Sequence, residues 1–458
     1  MNPSRRRWQT AWEEWRARLW PLPALGVIAA VVLGIALPRA DATLTAYLPE
    51  ALIGHLFTGG PEAARTVLSV IAGSLITVTA LTFSLTVVTL QLASSQFSPR
   101  LLRTFTRDPA VQATLALLLG TFTYAVMVLR TIRSDTATQS GFVPQLSVTL
   151  AFLLGLTSVV ALIGFLAHVV GQIRIERLLQ RVADDTAATA RRMLQHQQRD
   201  CPPSAVSPDA KPVTAQRTGF LTAVDDRALL AAAVDAAMVI RFDCHVGDWL
   251  VQATPFAHAW PLAPAAAADQ AADQRLATNL DAALTIGPER TTDQDVSFGL
   301  RQLTDVAVRA LSPGINDPTT AVHALAHASA ILCDLATHRP SPRLLHDQDE
   351  RVRVIIAQPD LPDLLELVVA QPGRYGAAEP AIQARLLALL REVAWCATDL
   401  PTHTAVRAQL DQIHDTVARQ QHYTVAEQAR LRRLSGQVHA ALGGRWEPDP
   451  EAGDQTGG

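Results

Sequence analysis

Lysine is almost missing from this sequence. Of 458 residues only Lys211 is a lysine, and it lies in the proline-rich stretch 201–212. A Schiff-base lysine, the lysine of a phosphate-binding loop and a lipoylated lysine each need a structured position. The sequence therefore excludes these enzyme and carrier classes.

Cysteines are few, and the common catalytic motifs are missing as well. The four cysteines are scattered without a CxxC pair, which predicts unpaired thiols in a reducing compartment. The sequence has no Gly-rich phosphate loop, no GxSxG, no HExxH and no paired-carboxylate signature. We therefore expect no enzyme, no catalytic residue and no cofactor. The net charge of −3 gives no reason to expect a nucleic-acid partner.

Long apolar runs are concentrated before about residue 172. They cover 22–37, 67–92, 110–129 and 146–170. A spanning helix needs about 20 mostly apolar residues, so the fold class predicted is a membrane α-helical region of about four transmembrane helices, followed by a mainly α, α+β soluble domain. The first run is short, and a cleaved signal peptide is the alternative there. Its long amphipathic leader with four tryptophans favours a retained span.

Arginines alternate between the two sides of these runs. Five precede the first run, three lie in the second connection (Arg100, Arg103 and Arg107) and three follow the fourth run, against two in each of the other connections. Short cytoplasmic segments carry the excess of positive charge in membrane proteins. The pattern predicts a multi-pass protein of the bacterial inner membrane with both termini in the cytoplasm.

The second run carries hydroxyl side chains in two stripes. At about 100° per residue, one stripe falls within about a quarter of the helix circumference. It comprises Thr79, Thr82, Thr86 and Thr89. Thr77, Ser84 and Gln91 lie on nearly the opposite face. Hydroxyls can pack against neighbouring helices or wet a passage, so the four threonines are candidate pore-lining residues with packing as the alternative.

The four runs contain no Asp, Glu, Lys or Arg, and His168 is their only candidate for an ionisable core residue. Charged groups inside the membrane normally mark proton relays and coupled transport. Their absence counts against a proton-driven transporter but not against a passive pore. Arg100, Arg103 and Arg107 would then lie at the cytoplasmic mouth of a pore or contact lipid headgroups.

The remainder divides at a linker rich in proline. We predict a transmembrane domain at 1–172 with an amphipathic N-terminal segment, and a charged helix with the linker at 173–213. A cytoplasmic soluble domain follows at 214–445, and a disordered tail at 446–458. Within the soluble domain, 214–262 is a small mixed α/β part and 263–445 is mainly helical. Strands are expected at 218–224, 238–244, 249–253 and 351–356, and helices at 226–237, 263–283, 296–311, 319–335, 361–370, 380–396, 402–420 and 424–442.

Two features of the helical part are candidate sites. In the turn Ser312–Thr320, Asp317 is positioned as the N-cap of a helix with Pro318 at its first position. Asn316 and Asp317 therefore form either a structural or a functional turn. His323 and His327, one helical turn apart, are weak metal candidates. Core or capping histidines are the alternative, because the sequence places no third ligand.

Two segments carry a resemblance to a known family. The run ALTFSLTVVTLQLASSQFSPRLLRTF, with SFGLRQLTDVAVRALSPGINDPTTA, resembles a bacterial family of predicted membrane proteins, the domain-of-unknown-function family numbered 2254. The similarity extends from about Trp20 to Leu442, and its most specific parts are 96–100 and 313–318. The resemblance implies an inner-membrane location and several N-terminal spans. It implies no activity and no catalytic residue.

These observations leave two main functional hypotheses. The preferred one is a homo-oligomeric passive ion or small-solute channel with a cytoplasmic vestibule domain. The alternative is a non-transporting membrane scaffold or sensor, whose cytoplasmic domain binds a protein or metabolite. A metalloenzyme using His323 and His327 comes third. The expected partners are the lipid bilayer and further copies of the chain.

Overall fold

The computed structural model describes residues 20–45, 56–96, 108–134, 142–172, 175–195, 207–262, 270–338 and 340–448. The chain forms two compact units, Met1–Arg174 and Ile175–Gly458. We call them the membrane unit and the soluble unit. Arg100, Arg103 and Arg107, most of the amphipathic leader and much of the proline-rich linker lie outside the described residues.

Four long helices form the described part of the membrane unit: α1 (Pro21–Thr45), α2 (Pro61–Gln96), α3 (Pro109–Leu129) and α4 (Gln145–Gln172). All four are long and apolar enough to cross a membrane, which confirms the four predicted spans. Three of them start at proline, whose fixed φ suits the first turn of a helix. The helices extend beyond the apolar runs because helical hydrogen bonds continue where the side chains become polar.

Helix α3 packs against all three other helices of the membrane unit. Its contact with α1 depends on glycine. A Cβ atom added at Gly26 would lie 2.8 Å from the carbonyl oxygen of Ala116, and one at Gly34 would lie 2.5 Å from Cβ of Met127. Membrane helices use small residues in this way to let their backbones approach.

The soluble unit begins with the amphipathic helix α5 (Ile175–Gln195), which buries Leu178, Leu179 and Val182. This helix packs against α8 (Val296–Ala310) and α9 (Pro318–His338). Its conspicuous charged residues predict a helix grouped with the linker, at 173–213. The structure places it inside the soluble unit, because its apolar stripe is part of that unit's core.

Among the residues that the structure describes, eight short strands form two sheets. They are β1 (Lys211–Thr214), β2 (Gly219–Val224), β3 (Met238–Phe242), β4 (Trp249–Leu250), β5 (Pro255–Pro261), β6 (Leu284–Gly287), β7 (Arg343–His346) and β8 (Val352–Ile356). One sheet has the order β1-β5-β3-β8-β7 and the other β4-β2-β6. Strands β3 and β8 are parallel, and the other pairs are antiparallel.

The predicted strands are confirmed as β2, β3, β4 and β8, whereas the other four strands were not predicted. Strand β1 lies inside the predicted linker. It is an edge strand, which tolerates Pro212 because one side of its backbone needs no partner. Such short strands are set by pairing across the fold and leave little periodic signal.

Helices α6 (Asp226–Asp235) and α7 (Gln270–Ala283) pack beside the sheets, and a helical bundle follows them. The bundle contains α8, α9, α10 (Leu361–Tyr375), α11 (Pro380–Cys396), α12 (Leu400–Ala418) and α13 (Val425–Leu442). These positions confirm the predicted helices, although residues 263–269 of the predicted helix 263–283 lie outside the described residues. Helix α13 starts with a capping box between Thr424 and Glu427.

Residues 446–448, at the start of the predicted tail, contact the helical bundle. The Trp446 ring lies 5.7 Å from the Trp395 ring, and the Arg391 guanidinium stacks 4.4 Å above it. Gln437 also donates from Nε2 to the carbonyl of Pro448 at 3.3 Å. A polar, glycine-rich composition predicted disorder, but one aromatic side chain anchors these residues.

Candidate functional site

A cavity of about 340 Å³ lies in the soluble unit at the carboxyl ends of the parallel strands β3 and β8. This volume is within the range of small-molecule sites, and ligands of α/β sheets bind at such strand ends. Six separate segments of the chain surround the cavity. Its charged lining residues are Arg192, Asp226, Asp293, Asp295 and Arg343.

Asp295 is the most buried of these charges. Its carboxylate accepts from Arg290 Nε at 2.8 Å and Nη2 at 2.9 Å, and it caps α8 by accepting from the backbone N–H of Phe298 at 2.9 Å. Burial raises the pKa of the Asp295 carboxyl, and the charge of Arg290 partly offsets this effect. The pair therefore fixes the start of α8 and neutralises its own charge.

The turn between β3 and β4 approaches this pair closely. Gly247 has φ of 104°, and a Cβ atom there would lie 2.1 Å from Asp295 Oδ2. Only glycine satisfies both conditions. Asp248 accepts from the backbone N–H of His245 at 2.8 Å, and its hydrogen bond with the imidazole raises the pKa of His245. The sequence predicts the strands on either side of this turn, at 238–244 and 249–253, but not the contact of the turn with Asp295.

Helix α5 forms one wall of the cavity. Arg192 donates from Nη2 to Thr189 Oγ1 at 2.9 Å and to the carbonyl of Asp293 at 3.2 Å. Thr189 in turn donates to the carbonyl of Thr292 at 2.8 Å. These hydrogen bonds hold the end of α5 against the loop before α8. A conformational change in that loop would therefore alter the contacts that position α5.

Arg343 and Asp226 form an ion pair in the lining, with 2.9 Å between Nη2 and Oδ1. The pair lacks hydrogen-bond geometry, because Arg343 Nε and Asp226 Oδ1 are buried without a hydrogen-bond partner in the described part of the chain. Both residues of the pair belong to the lining of the cavity.

The four threonines predicted as pore-lining candidates lie on one face of α2, as the helical period indicates. Thr79, Thr82 and Thr86 are buried within the chain, and Thr89 is half-buried. Each hydroxyl donates to the carbonyl four residues earlier, at 2.7–2.8 Å. This arrangement favours packing over a wet stripe. The other stripe faces outward, since Thr77, Ser84 and Gln91 are exposed.

Two buried carboxylates among the described residues of the membrane unit, Asp41 and Asp108, lie just outside the apolar runs. Asp41 accepts from the backbone N–H and the hydroxyl of Ser147, both at 3.0 Å, near the start of α4. Asp108 caps α3 and lies 2.7 Å from Nε2 of His168. Both carboxylates accept hydrogen bonds from backbone N–H groups at the start of a helix, which lipid tails cannot do. The sequence feature that indicates a capping role for Asp108 is its position directly before Pro109.

The turn at Asn316 and Asp317 has the predicted capping geometry. Asn316 has φ of 49°, a left-handed conformation that asparagine tolerates. Asp317 accepts from the backbone N–H of Thr320 at 3.0 Å and from its hydroxyl at 2.5 Å. The N-cap prediction is therefore confirmed. The hydrogen bonds from Thr320 lower the pKa of Asp317.

Asp317→Ala should therefore cost about 0.5–2 kcal/mol of folding free energy. Because the pKa of Asp317 is lowered in the folded state, its contribution is fully present above the ordinary aspartate pKa and disappears as the pH falls through the lowered value. Thermal unfolding of the detergent-purified protein at pH 7 and at pH 3 measures both effects. Asp317→Asn is the control, since it keeps the capping acceptor and should unfold close to the wild type at pH 7. An equal loss of stability in both variants would contradict the capping role.

The two histidines of the weak metal candidate are placed differently. His323 is exposed and His327 is half-buried. Burial lowers the pKa of His327, against the effect of the nearby Asp184. Within the described ranges, no cluster of three or more His, Cys, Asp or Glu side chains could hold a metal ion. The structure therefore supplies no third ligand for the pair.

The residues of the cavity were not predicted as a site. Arg192, Asp226, Asp293 and Arg343 are far apart in the sequence, and none belongs to a motif. The one local signal was the gap between the predicted strands 238–244 and 249–253, which contains Gly247. This gap indicated a connection between two strands but gave no information about the residues that surround it.

Comparisons with known proteins add the following. Residues 16–392 match the family model described as "Predicted membrane protein (DUF2254)". The chain is 35% identical over 404 residues to an uncharacterized protein of Mycobacterium tuberculosis strain H37Rv, covering 86% of this chain and 74% of that protein. An uncharacterized protein of Mycobacterium bovis gives the same values. No solved structure matches the chain significantly.

Proposed function

Because the chain belongs to the family of predicted membrane proteins (DUF2254), we propose that it is a non-transporting membrane sensor. Four spans anchor it in the bilayer, and the cavity at the ends of β3 and β8 binds a small polar metabolite. The observation that carries this proposal is the cavity itself, with charged residues contributed by distant segments and with poorly satisfied polar atoms in Arg343 and Asp226.

Helix α5 supports a sensing role because it is the first element of the soluble unit after the fourth span in the sequence. It starts at Ile175, and its last turns line the cavity through Thr189 and Arg192. A ligand that contacts these residues changes the free energy of the observed position of α5 relative to other positions. By linkage, the position of α5 would then depend on ligand occupancy.

The geometry of α2 is the main argument against the channel hypothesis. A wet passage needs polar groups that water can reach. The hydroxyls of Thr79, Thr82 and Thr86 already donate within their own helix and are buried in one chain. A ring of subunits could not present this face to a central pore without first separating α2 from its neighbours.

The proposed setting is the bacterial inner membrane, with both termini on the cytoplasmic side. The alternation of arginines across the four spans supports this orientation. We also propose that the protein is not an enzyme and needs no cofactor, since its sequence carries no catalytic motif. The cavity would then face cytoplasmic metabolites.

The test uses full-length protein. Reconstituted in liposomes, it should pass no potassium or chloride above protein-free liposomes. In detergent, a mixture of cytoplasmic metabolites below 1 kDa should raise its thermal midpoint. Ala357→Trp, which fills the cavity, should abolish this rise. Ala326→Trp, on the exposed side of α9, is the matched control and should preserve it.

Two results would overturn the proposal. Ion flux that Thr82→Leu reduces would restore the channel hypothesis. A rise in midpoint that survives Ala357→Trp would show that the ligand binds elsewhere.

A further inference from the structure

We infer that the ligand of this cavity is a zwitterion, an α-amino acid with an aliphatic side chain. The inference rests on the proposed sensor function and specifies what the cavity holds. It follows from the distribution of charge and of apolar surface in the lining, and from the unsatisfied ion pair at its wall.

The lining carries charges of both signs in near balance. Asp295 is neutralised by Arg290 at 2.8–2.9 Å and adds no net charge. The remaining lining charges are the guanidinium groups of Arg192 and Arg343 and the carboxylates of Asp226 and Asp293. A ligand of one sign would meet repulsion from two of these four groups. A ligand with one charge of each sign can place its carboxylate beside the guanidinium groups and its ammonium beside the carboxylates.

The Arg343–Asp226 pair is suited to open for such a ligand. Its ion contact of 2.9 Å lacks hydrogen-bond geometry, and one polar atom on each partner is buried and unsatisfied. Reorienting Arg343 toward a ligand carboxylate allows the bidentate geometry that guanidinium groups favour. Asp226 can then accept from the ligand ammonium. Opening the pair therefore replaces one poor contact by two well-formed charged hydrogen bonds.

The uncharged part of the lining includes the polar residues Thr189, Gln294 and Gln358 and an apolar portion, which would hold the remainder of the ligand. Met193, Val246, Val296 and Ile356 provide hydrocarbon surface beside the charged groups. An aliphatic side chain buried there gains about 25 cal/mol per Å² of apolar surface. The volume of about 340 Å³ is sufficient for an amino acid and too small for a dinucleotide or a folded peptide.

The experiment measures binding to full-length protein in detergent by calorimetry, with L-leucine and L-methionine as probes. Leucinamide lacks the carboxylate and 4-methylpentanoate lacks the amine, so each should bind at least tenfold more weakly than leucine. Inorganic phosphate should not bind. Arg343→Met and Asp226→Asn should each weaken leucine binding tenfold or more. Because either variant could also reduce stability, its thermal midpoint without ligand is measured in parallel.

The outcomes separate this inference from the proposed function. If the metabolite mixture stabilises the protein and Ala357→Trp blocks the effect, but neither amino acid binds, the sensor function stands and the zwitterion assignment is wrong. Equal binding of leucine and 4-methylpentanoate would also overturn the assignment. If neither the mixture nor the amino acids bind, both proposals fail.

Discussion

Arg290→Ala should lower the free energy of unfolding of the soluble unit by about 3–5 kcal/mol, the usual cost of leaving a buried charge without its partner. Asp295 is only 3% exposed and receives two hydrogen bonds from Arg290. The Arg290 guanidinium also lies 5.3 Å from the centre of the Phe298 ring, a contact that alanine removes. Thermal and denaturant unfolding of the purified protein measure the loss.

The pH dependence of this variant tests the cause. Burial already raises the pKa of Asp295, and removing the positive charge of Arg290 should raise it further. The folded protein then binds a proton that the unfolded chain does not, so the stability of the variant should fall as the pH rises. Arg290→Ala should therefore lose more stability at pH 8 than at pH 5.

The double variant Arg290→Ala with Asp295→Asn is the matched control. Asparagine still accepts a hydrogen bond at the start of α8 but carries no charge. It should recover part of the lost stability and remove the pH dependence. If the double variant is as unstable as Arg290→Ala at every pH, the loss is due to packing and the electrostatic explanation is wrong.

Gly34→Leu should disrupt the membrane unit. A Cβ atom at this position would lie 2.5 Å from Cβ of Met127, which cannot move without the α3 backbone. Forcing extra side-chain atoms into a packed interface costs about 1–3 kcal/mol, and more where backbones must separate. We expect a lower thermal midpoint in detergent and a larger aggregated fraction on size-exclusion chromatography.

Gly73→Leu is the matched control on α2. No atom lies within 4 Å of a Cβ atom built at Gly73, and the position is exposed. In a single chain the substitution should be tolerated. If it is as damaging as Gly34→Leu, this face of α2 is covered by a second copy of the chain, as the homo-oligomer hypothesis requires. If Gly34→Leu is tolerated, the close contact of α1 with α3 is wrong.

Helical periodicity predicts which residues of α2 share a face, but not what that face contacts. The helical period grouped Thr79, Thr82 and Thr86 correctly, but it did not indicate whether that face meets protein or water. A signal was available, since Leu68, Ala72 and Leu75 continue the same face and are buried with it. A face that continues from leucine and alanine into threonine at helical spacing indicates a packed interface more strongly than the threonines do alone.

The sequence by itself determined the features that depend on neighbours along the chain. Four spans follow from contiguous apolar runs, and the helix start at Asp317 follows from an N-cap before proline. Hydrogen bonds within a helix join residues four positions apart, so their signals are local. The membership of α5 in the soluble unit could also have been inferred from its apolar stripe.

Only the tertiary structure decided where the candidate site lies. Arg192, Asp226, Asp293 and Arg343 meet because two strands distant in the sequence, β3 and β8, pair in parallel, and α5 packs against the bundle. That pairing is set by the burial of both sheet faces and by chain closure over more than one hundred residues, and no local pattern encodes it. In the sequence, the charged residues of the cavity cannot be distinguished from ordinary surface residues. They line one cavity only in the folded chain.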